Sequence, residues 1–392
     1  MNILIANPGS TSYKCKLIDV DSMQSKFEAE VERIGEEEGI FNYQYQNEDV
    51  SKNLAIPDYS SAVELTIQAL QERDLFSEIE AVGFKTVLAK DITGTVEIND
   101  NVIQAMKEYT PLAPVHNKVY LKVISIFKEV IPDIPLIGKF ETSFHTDIPP
   151  QAYLYGIPYE YYKKYGIRKY GFHGASHQYI AETTEEKLLE KTDNLRIISC
   201  HLGGSSSVCA IQDGKSVDTS MGMSPQSGLL NAERTGDIDP YALLYLQEKE
   251  EMSIDEMREM LGSKSGAAGI SGVGGDFRDI ISEMKQGNKQ AELAFKTYSY
   301  YVKRYIGEYL AVLNGADAIV FTAGIGTNNP SIRKEILKEM ENLGIVLDDE
   351  KNKSTTEQGK ISSQESEIGI FVLPTNEEKI VARKVQEYLN KK

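Results

Sequence analysis

A glycine- and serine-rich turn lies between two short apolar runs in residues 196–213 (RIISCHLGGSSSVCAIQD). The alternation on each side of the turn predicts two strands joined as a β-hairpin. Glycine lets a ligand approach the main chain closely, and neighbouring N–H groups and serine hydroxyls can converge on a phosphate. The tip of this hairpin is therefore a candidate anion site, although an ordinary turn would have the same composition.

The start of the chain repeats this pattern. Residues 2–19 (NILIANPGSTSYKCKLID) again contain an apolar run, a polar residue, a glycine- and serine-rich turn and a second alternating run. A repeat at half-chain spacing predicts two similar domains, each with one such hairpin. We expect the two hairpins to face a cleft and to hold a polyphosphate from both sides.

The histidines are gathered in one part of the sequence, at His116, His145, His173, His177 and His201. Each lies beside a glycine, proline, asparagine or serine segment, which favours a functional site, although a structural role stays open for each. His173 and His177 have the spacing of metal ligands on a helix. Gly174 weakens a helix there and the glutamate of a metalloprotease motif is absent, so zinc hydrolysis is disfavoured.

Two other motifs of catalysis and phosphate binding are missing. The serine tract after Gly203 has no glycine two residues beyond its first serine, so it is not a nucleophile elbow. The sequence Gly214-Lys215-Ser216 has Cys209 where a Walker A loop needs its first glycine. Phosphate binding would therefore depend on the paired hairpins.

Composition narrows the class of protein. A chain of 392 residues suits two domains, and its net charge of −17 argues against non-specific nucleic-acid binding, because phosphate backbones need a basic surface. A small anionic substrate would need a locally positive site. We find no basic leader and no apolar run of about 18 residues, so we expect a cytoplasmic protein without membrane contact. The three cysteines form no CxxC pair and are expected to be buried thiols.

The rest of the chain alternates predicted strands with predicted helices, which indicates an α/β architecture. Apolar residues at helical spacing predict helices at 60–74, 99–106, 115–130 and 290–313, with a last helix at the C-terminus. Short apolar runs predict strands at 79–87, 134–140, 318–322 and 369–373.

Several connecting segments carry further expectations. The polar-to-proline loop at 140–150 is the expected domain boundary, and the loop at 354–366 should be polar and exposed. The long segment at 218–240 and the glycine-rich tract at 263–279 are candidate functional segments, since long loops in compact domains are usually functional. The glycine turn at 323–329 follows a buried strand and is of the type that packs against nucleotides.

Nine motifs follow one another along the chain: 7–12 (NPGSTS), 111–117 (PLAPVHN), 170–177 (YGFHGASH), 201–203 (HLG), 218–222 (DTSMG), 234–240 (RTGDIDP), 276–278 (DFR), 322–326 (TAGIG) and 374–378 (PTNEE). Together they resemble the acetate kinase family, acyl-phosphate-forming enzymes of the superfamily that also contains actin, heat-shock chaperones and sugar kinases. The resemblance extends over nearly the whole chain.

The resemblance implies a duplicated ribonuclease H-like, actin-like (ASKHA) α/β fold with two domains around a cleft. The expected domains are residues 1–147 with the C-terminal helix 380–392, and residues 148–379 with the nucleotide site. The implied activity is reversible phosphoryl transfer between ATP and a short-chain carboxylate, acetate or propionate, with Mg²⁺. A cytoplasmic homodimer is also implied.

The resemblance further assigns roles to individual residues. Arg234 resembles the carboxylate and phosphoryl clamp and His173 the donor to the transferred phosphoryl group, with Lys85 and Glu141 at two further catalytic positions. A surface ion pair with Asp237 or Asp239 is the alternative for Arg234. The expected acyl pocket comprises Lys85, Val87, Val115, Phe172 and Pro225. The expected magnesium ligands are Asn7 and Glu377. The expected phosphate and nucleotide contacts are Lys14, Ser10, Ser12, His201, Gly203, Gly204, Ser205, Asp276, Phe277, Arg278, Gly324, Gly326 and Asn328.

Three positions depart from the family pattern. Lys85 replaces an arginine and loses its bidentate fork, Glu141 replaces an aspartate and moves the carboxylate by about 1.5 Å, and Gly204 replaces an asparagine. The chain is therefore either a divergent kinase or a nucleotide-binding relative with weakened or altered catalysis, acting on another carboxylic acid or as a non-catalytic binding protein. We favour the kinase, because both positive charges, the histidine and a carboxylate are retained.

Overall fold

The computed structural model describes residues 1–187 and 193–391. The chain forms two compact units. Unit 1 is Met1–Ser143 with Asn376–Lys392, and unit 2 is Phe144–Thr375. The chain therefore passes from unit 1 to unit 2 after residue 143 and returns after residue 375. The sequence predicted these two points after residues 147 and 379. Within the described residues, we find no helix long and apolar enough to span a membrane.

Unit 1 contains an eight-stranded sheet in the order β5-β4-β3-β2-β1-β6-β8-β7. Its strands are β1 (Asn2–Pro8), β2 (Tyr13–Asp19), β3 (Gln24–Glu32), β4 (Gly39–Tyr45), β5 (Glu48–Leu54), β6 (Ala81–Phe84), β7 (Thr95–Glu97) and β8 (Leu136–Lys139). The apolar run of β1 is buried because it pairs antiparallel with β2 on one side and parallel with β6 on the other. This confirms the first predicted hairpin.

The predicted helices of unit 1 form close to the expected positions, although α1 ends at Gln71 and not at residue 74. They are α1 (Tyr59–Gln71), α2 (Asp100–Glu108) and α3 (Pro114–Val130). Asp58 caps α1 by accepting from the Ser61 backbone N–H, and Asn99 caps α2 in the same way. The prolines at 111 and 114 separate α2 from α3, since proline is accepted at a helix start and not inside it.

Unit 2 contains a six-stranded sheet in the order β11-β10-β9-β12-β14-β13. Its strands are β9 (Arg196–Leu202), β10 (Ser206–Gln212), β11 (Lys215–Thr219), β12 (Ala318–Thr322), β13 (Gly359–Lys360) and β14 (Gly369–Val372). β9 pairs antiparallel with β10 and parallel with β12, as β1 does with β2 and β6. Six strands thus recur in the same order in both units, which confirms the duplicated fold expected from the two hairpins.

Eleven helices belong to unit 2 within the described residues. They are α4 (Pro150–Tyr153), α5 (Tyr159–Tyr165), α6 (Gly174–Lys187), α7 (Pro240–Glu250), α8 (Ile254–Ser263), α9 (Gly266–Ser271), α10 (Phe277–Lys285), α11 (Lys289–Val312), α12 (Ala323–Asn328), α13 (Pro330–Leu337) and α14 (Asp349–Ser354). The chain then returns to unit 1 as α15 (Glu377–Leu389). α11 buries Ala291, Ala294, Tyr298, Val302 and Tyr305 at helical spacing against the core of the unit.

One segment differs from its expectation. Residues 354–366, expected to be an exposed loop, include β13, and Ile361 and Ser362 are buried. The Ile361 N–H donates to the carbonyl of Ile370 at 2.8 Å, so pairing with β14 draws this polar stretch into the sheet.

A buried arginine ties the glycine turn at 323–329 to the rest of unit 2. Arg333 is fully buried, and its guanidinium donates to the carbonyls of Gly326 and Thr327 at 2.8 and 2.7 Å. It also donates to the side chain and the carbonyl of Asn352 at 2.7 and 2.8 Å. Burial lowers the pKa of Arg333 to about 10, but this value is still high enough to keep the guanidinium charged at neutral pH. The cation thus satisfies carbonyls at the C-terminal end of α12.

We expect Arg333→Met to lower the free energy of unfolding by about 3 kcal/mol, because several buried carbonyl oxygens lose their donor. Lys334→Met is the matched control, since Lys334 is 59% exposed and pairs with the surface residue Asp349. Its effect should stay within about 0.5 kcal/mol. Urea denaturation of both variants measures the difference, and equal stabilities would show that Arg333 does not hold α12.

Candidate active site

The register of the first sheet places three polar residues in a row. Parallel pairing aligns Phe84 of β6 with the residue before Asn7 in β1 and with the residue before Lys139 in β8. The next residue along each strand is polar: Asn7 in β1, Lys85 after β6 and Lys139 in β8. These residues therefore lie side by side at the carboxyl ends of neighbouring strands. Because side chains alternate between the two faces of a sheet, all three are on the same face. This edge of unit 1 is where its candidate chemistry gathers.

The N-terminus of α15 supplies a carboxylate to this row. Oε2 of Glu377 lies 2.5 Å from Nζ of Lys85, and both side chains are largely buried. Burial disfavours the Lys85 ammonium, but the carboxylates of Glu377 and Glu141 outweigh burial, so the pKa of Lys85 is raised. Lys85 is therefore a permanent cation at neutral pH.

Asn7 presents its amide oxygen at the same edge. Oδ1 of Asn7 accepts a hydrogen bond of 2.9 Å from the hydroxyl of Tyr120 in α3. Burial raises the pKa of Tyr120, so its hydroxyl stays protonated and can donate. Tyr120 was not predicted from the sequence, because its role depends on how α3 packs on the sheet.

Two more charged residues complete the edge. Glu141 is buried just beyond β8, and its N–H donates to the carbonyl of Thr86 at 2.8 Å. Lys139 is buried in β8, where burial lowers its pKa to about 8 although Glu141 and Glu377 oppose that shift. A lysine inside an apolar strand is unusual, but only the pairing of β8 with β6 places Lys139 at this edge.

In unit 2 the second hairpin is tied to the long loop that follows β11. Within this turn, the N–H of Ser206 donates to Oδ1 of Asn231 at 2.5 Å, and the carbonyl of Gly204 accepts from the N–H of Ala232 at 3.1 Å. A Cβ added at Gly204 would meet no atom within 4 Å. Space therefore does not require glycine there, and a polar side chain would fit.

Four histidines of unit 2 form hydrogen bonds to serine hydroxyls. Oγ of Ser207 lies 2.8 Å from both Nδ1 of His173 and Nε2 of His177. The His173 and His201 rings stack at 4.1 Å, and His201 reaches Ser176 at 2.7 Å. His173 holds a left-handed backbone (φ 56°) just before α6, which is a strained conformation of the kind found at functional sites.

The fourth histidine, His145, is buried, and its ring is oriented by Ser216 at 2.8 Å and by the carbonyl of Phe172 at 2.9 Å. A carbonyl can only accept, so Nε2 of His145 carries a proton. Within residues 1–187 and 193–391, no group of three or more His, Cys, Asp or Glu side chains is arranged to hold a metal ion. Nδ1 of His173 and both ring nitrogens of His177 lie within hydrogen-bond distance of serine hydroxyls.

Arg234 lies inside the long loop of unit 2. Its Nη1 donates to the carbonyl of Pro225 at 2.9 Å, and burial lowers the pKa of Arg234 to about 10. The alternative of a surface ion pair is not observed among the described residues, since Asp237 accepts from Tyr305 and Asp239 caps α7. The guanidinium keeps further N–H donors for an anion.

Six of the expected nucleotide contacts of unit 2 lie in or beside the helices α10 and α12, and the others belong to the second hairpin. Asp276 caps α10 and pairs with Arg278, which is 90% exposed. Phe277 is buried with its ring 4.4 Å from that of Tyr298, whose hydroxyl reaches Ser206 of the hairpin at 2.9 Å. The short helix α12 contains Gly324, Gly326 and, as its last residue, Asn328.

The other predicted site residues are spread over both units. Lys14 is exposed on β2, where its ammonium pairs with Glu30 at 2.6 Å, and Ser10 and Ser12 belong to the first hairpin turn. Val87 is buried in unit 1, and Phe172 and Pro225 are buried in unit 2. The side chain of Val115 lies outside the described residues. The expectation that the two hairpins face each other concerns the arrangement of the units and stays a prediction.

Comparison with known proteins gives consistent matches. A family model described as the acetokinase family matches residues 2–383. An acetate kinase of Clostridium botulinum (strain Langeland) is 44% identical over 393 residues, which cover 99% of each chain. The crystal structure of Porphyromonas gingivalis acetate kinase has a TM-score of 0.88 at 36% identity, covering 99% of both chains. A propionate kinase from Francisella tularensis has a TM-score of 0.91 at 35% identity, covering 98% of both.

His177 provides a pH test of the histidine and serine network. It is fully buried, and burial first, then the neighbouring His145 and His201, lower its pKa well below the ordinary value. An unfolded histidine takes up a proton below about pH 6.5, whereas folded His177 stays neutral, so stability should fall as the pH drops below that value.

We expect His177→Gln to reduce this pH dependence by up to about 1.4 kcal/mol per pH unit between pH 6.5 and 5. The free energy of unfolding at several pH values gives the slope, which is independent of any overall loss of stability. Parallel curves for parent and variant would show that His177 is protonated in the folded protein.

Proposed function

Since this chain belongs to the acetokinase family, we propose that acetate is its preferred carboxylate and that the predicted site residues carry the reaction. The chain is an ATP-dependent kinase that phosphorylates a carboxylate. The observation that carries the proposal is the row of charged side chains at the carboxyl edge of the first sheet, since its buried ammonium groups can bind an anion although the protein has a net charge of −17.

Unit 1 contributes Lys85 and Glu141 in this proposal. Phosphoryl transfer requires mainly that the reacting groups are aligned and that developing charge is neutralised. Lys85 is a permanent cation and is held by Glu377, so it can bind an anionic oxygen without a large rearrangement. Glu141 is buried close enough to Lys85 to affect its pKa, and we assign it the position of the family aspartate.

Unit 2 contributes Arg234 and His173. Arg234 binds the carboxylate and the transferred phosphoryl group with the N–H groups that Pro225 does not use. His173 donates to the phosphoryl oxygens, and Ser207 orients its ring. Both side chains are held by neighbours before any substrate binds, which is the preorganisation that electrostatic catalysis requires.

Asn7 and Glu377 would hold Mg²⁺. Their amide and carboxylate oxygens are hard donors that suit this ion, which commonly takes one or two protein ligands and completes its shell with phosphates and water. When bound, the ion would neutralise phosphate charge. The fit is supported by the position of both residues at one edge, where Tyr120 orients Asn7 and Lys85 orients Glu377.

The nucleotide contacts belong to unit 2 in this proposal, at Asp276–Arg278 and at the glycines of α12. ATP is a cytoplasmic metabolite, and the three cysteines are buried free thiols, so we place the reaction in the cytoplasm.

We also propose a homodimer. This is supported by α7, where Tyr241 is 79% exposed and Leu244 and Tyr245 are exposed beside it, because contiguous apolar surface usually marks an interface.

We expect Arg234→Ala to lower kcat/KM for the carboxylate about a hundredfold or more, and His173→Ala to have a smaller effect, since one charge-stabilising donor is worth about 10²–10³ in rate. Arg258→Ala is the matched control, because Arg258 is exposed and pairs only with Asp255. ATP-dependent acyl hydroxamate formation with formate, acetate, propionate and butyrate measures both rate and preference. Near-parent turnover in Arg234→Ala would remove Arg234 from the site.

The two departures in unit 1 can be tested as a pair. If Lys85 and Glu141 are adapted to each other, Lys85→Arg should reduce activity, because a larger planar group must enter the space beside Glu377. Glu141→Asp should also reduce it by withdrawing the carboxylate. A double-mutant cycle on kcat/KM should then show partial recovery in the double variant. A large gain from either single change would favour the alternative of a relative with weakened catalysis.

A further inference from the structure

Lys139 is a buried cation whose ammonium group has no acceptor in the part of the chain that the structure describes. Its side chain is 1% exposed, and among the described residues its Nζ has no hydrogen-bond partner. Lysine is almost never fully buried without a partner, because a buried ammonium group without acceptors loses its hydration and gains no hydrogen bond to replace it. Such a group needs an explanation outside the packing of the strand.

The position of Lys139 relates it to the candidate site. It stands level with Lys85 on the adjacent strand, and neighbouring strands lie about 4.8 Å apart. The charged groups that act on its pKa are Glu141, Glu377, Lys85 and Lys384, of which the first three belong to the same edge. Burial dominates and the lowered pKa of about 8 still leaves most of the group protonated at pH 7.

The duplicated sheet shows that the fold itself does not need this charge. In unit 2 the pairing aligns Phe321 with Val372, as Phe84 is aligned with the residue before Lys139 in unit 1. The next residue in unit 2 is Leu373, which is buried and apolar. The same strand position therefore accepts an aliphatic side chain in one copy of the fold.

We propose that Lys139 is the second cation of the phosphoryl-binding site, where it acts together with Lys85 as two ammonium groups on neighbouring strands. This proposal rests on the proposed function. An arginine offers two parallel donors and one charge from a single side chain, and the resemblance places an arginine at position 85. Two lysines on adjacent strands supply two separate positive charges to the oxygens of the transferred group. Lys139 thereby supplies a second donor, which an arginine at position 85 would provide by itself.

The test compares Lys139→Met, which keeps the length of the side chain and removes its charge, with the parent protein. Two quantities are measured: the Kd of inorganic phosphate by calorimetry at fixed ionic strength, and the melting temperature without ligand. We expect the Kd to rise about tenfold or more, because a charge within a few ångströms of an anion in a poorly solvated site is strongly felt. The melting temperature should stay equal or rise, since a buried charge without a partner is removed.

Lys128→Met is the matched control, because Lys128 is a partly exposed lysine of the same unit that pairs with Asp100. It should leave both quantities unchanged. Lys139→Arg keeps the charge and should recover most of the phosphate affinity. The KM for acetyl phosphate should follow the Kd in all three variants.

A parent-like Kd in Lys139→Met overturns the proposal. A lower affinity that is accompanied by a lower melting temperature and is not recovered in Lys139→Arg also overturns it, because it indicates a packing role. The proposed function fails separately, if the parent protein forms no ADP when ATP and any short-chain carboxylate are supplied.

Discussion

Buried charges at the ends of two neighbouring strands are the constraint on which unit 1 depends. An ammonium or carboxylate removed from water is stable only where opposite charges or a ligand compensate for lost hydration. The charge of Lys85 is compensated by that of Glu377, the first residue of α15. This ion pair fixes the start of α15 against the sheet. Lys139 has no comparable bond in the described residues. The two ammonium groups of the cluster are balanced by the carboxylates of Glu377 and Glu141, but the ammonium group of Lys139 still lacks an acceptor in the described residues, and an anionic substrate can supply one.

The second sheet uses the same architecture for different chemistry. Its pairing brings His201 level with Thr322 at the position that Asn7 and Lys85 occupy in the first sheet. Imidazoles and hydroxyls take the place of the charged row there, and the serines hold the rings in fixed orientations. One fold thus supplies ionic groups in one unit and oriented hydrogen-bond donors in the other. Phosphoryl transfer needs both, since charge must be neutralised and geometry must be kept.

Sequence reasoning succeeded where the signal is local. The hairpins, the ends of α2 and α3 and the buried strand β12 follow from turn residues, prolines and apolar runs, all of which act on their immediate neighbours. It failed where register or distant packing decides. The strand at Gly359–Lys360 forms only because β14 offers an edge. Lys139, Tyr120 and Ser207 belong to the sites through pairing and helix packing, which no single stretch of sequence encodes.

The central claim is that a carboxylate oxygen of the substrate attacks the γ-phosphorus of ATP. Oxygen-18 tests it directly. Acetate labelled in both carboxylate oxygens is incubated with the protein and ATP, and hydroxylamine traps the acyl phosphate by attack at its carbonyl carbon. The bridging oxygen then stays on phosphorus, so the account predicts that each inorganic phosphate released carries one labelled oxygen, visible as an isotope shift in the ³¹P spectrum. Unlabelled phosphate formed in step with ADP would contradict it, because water and not the carboxylate would then be the acceptor.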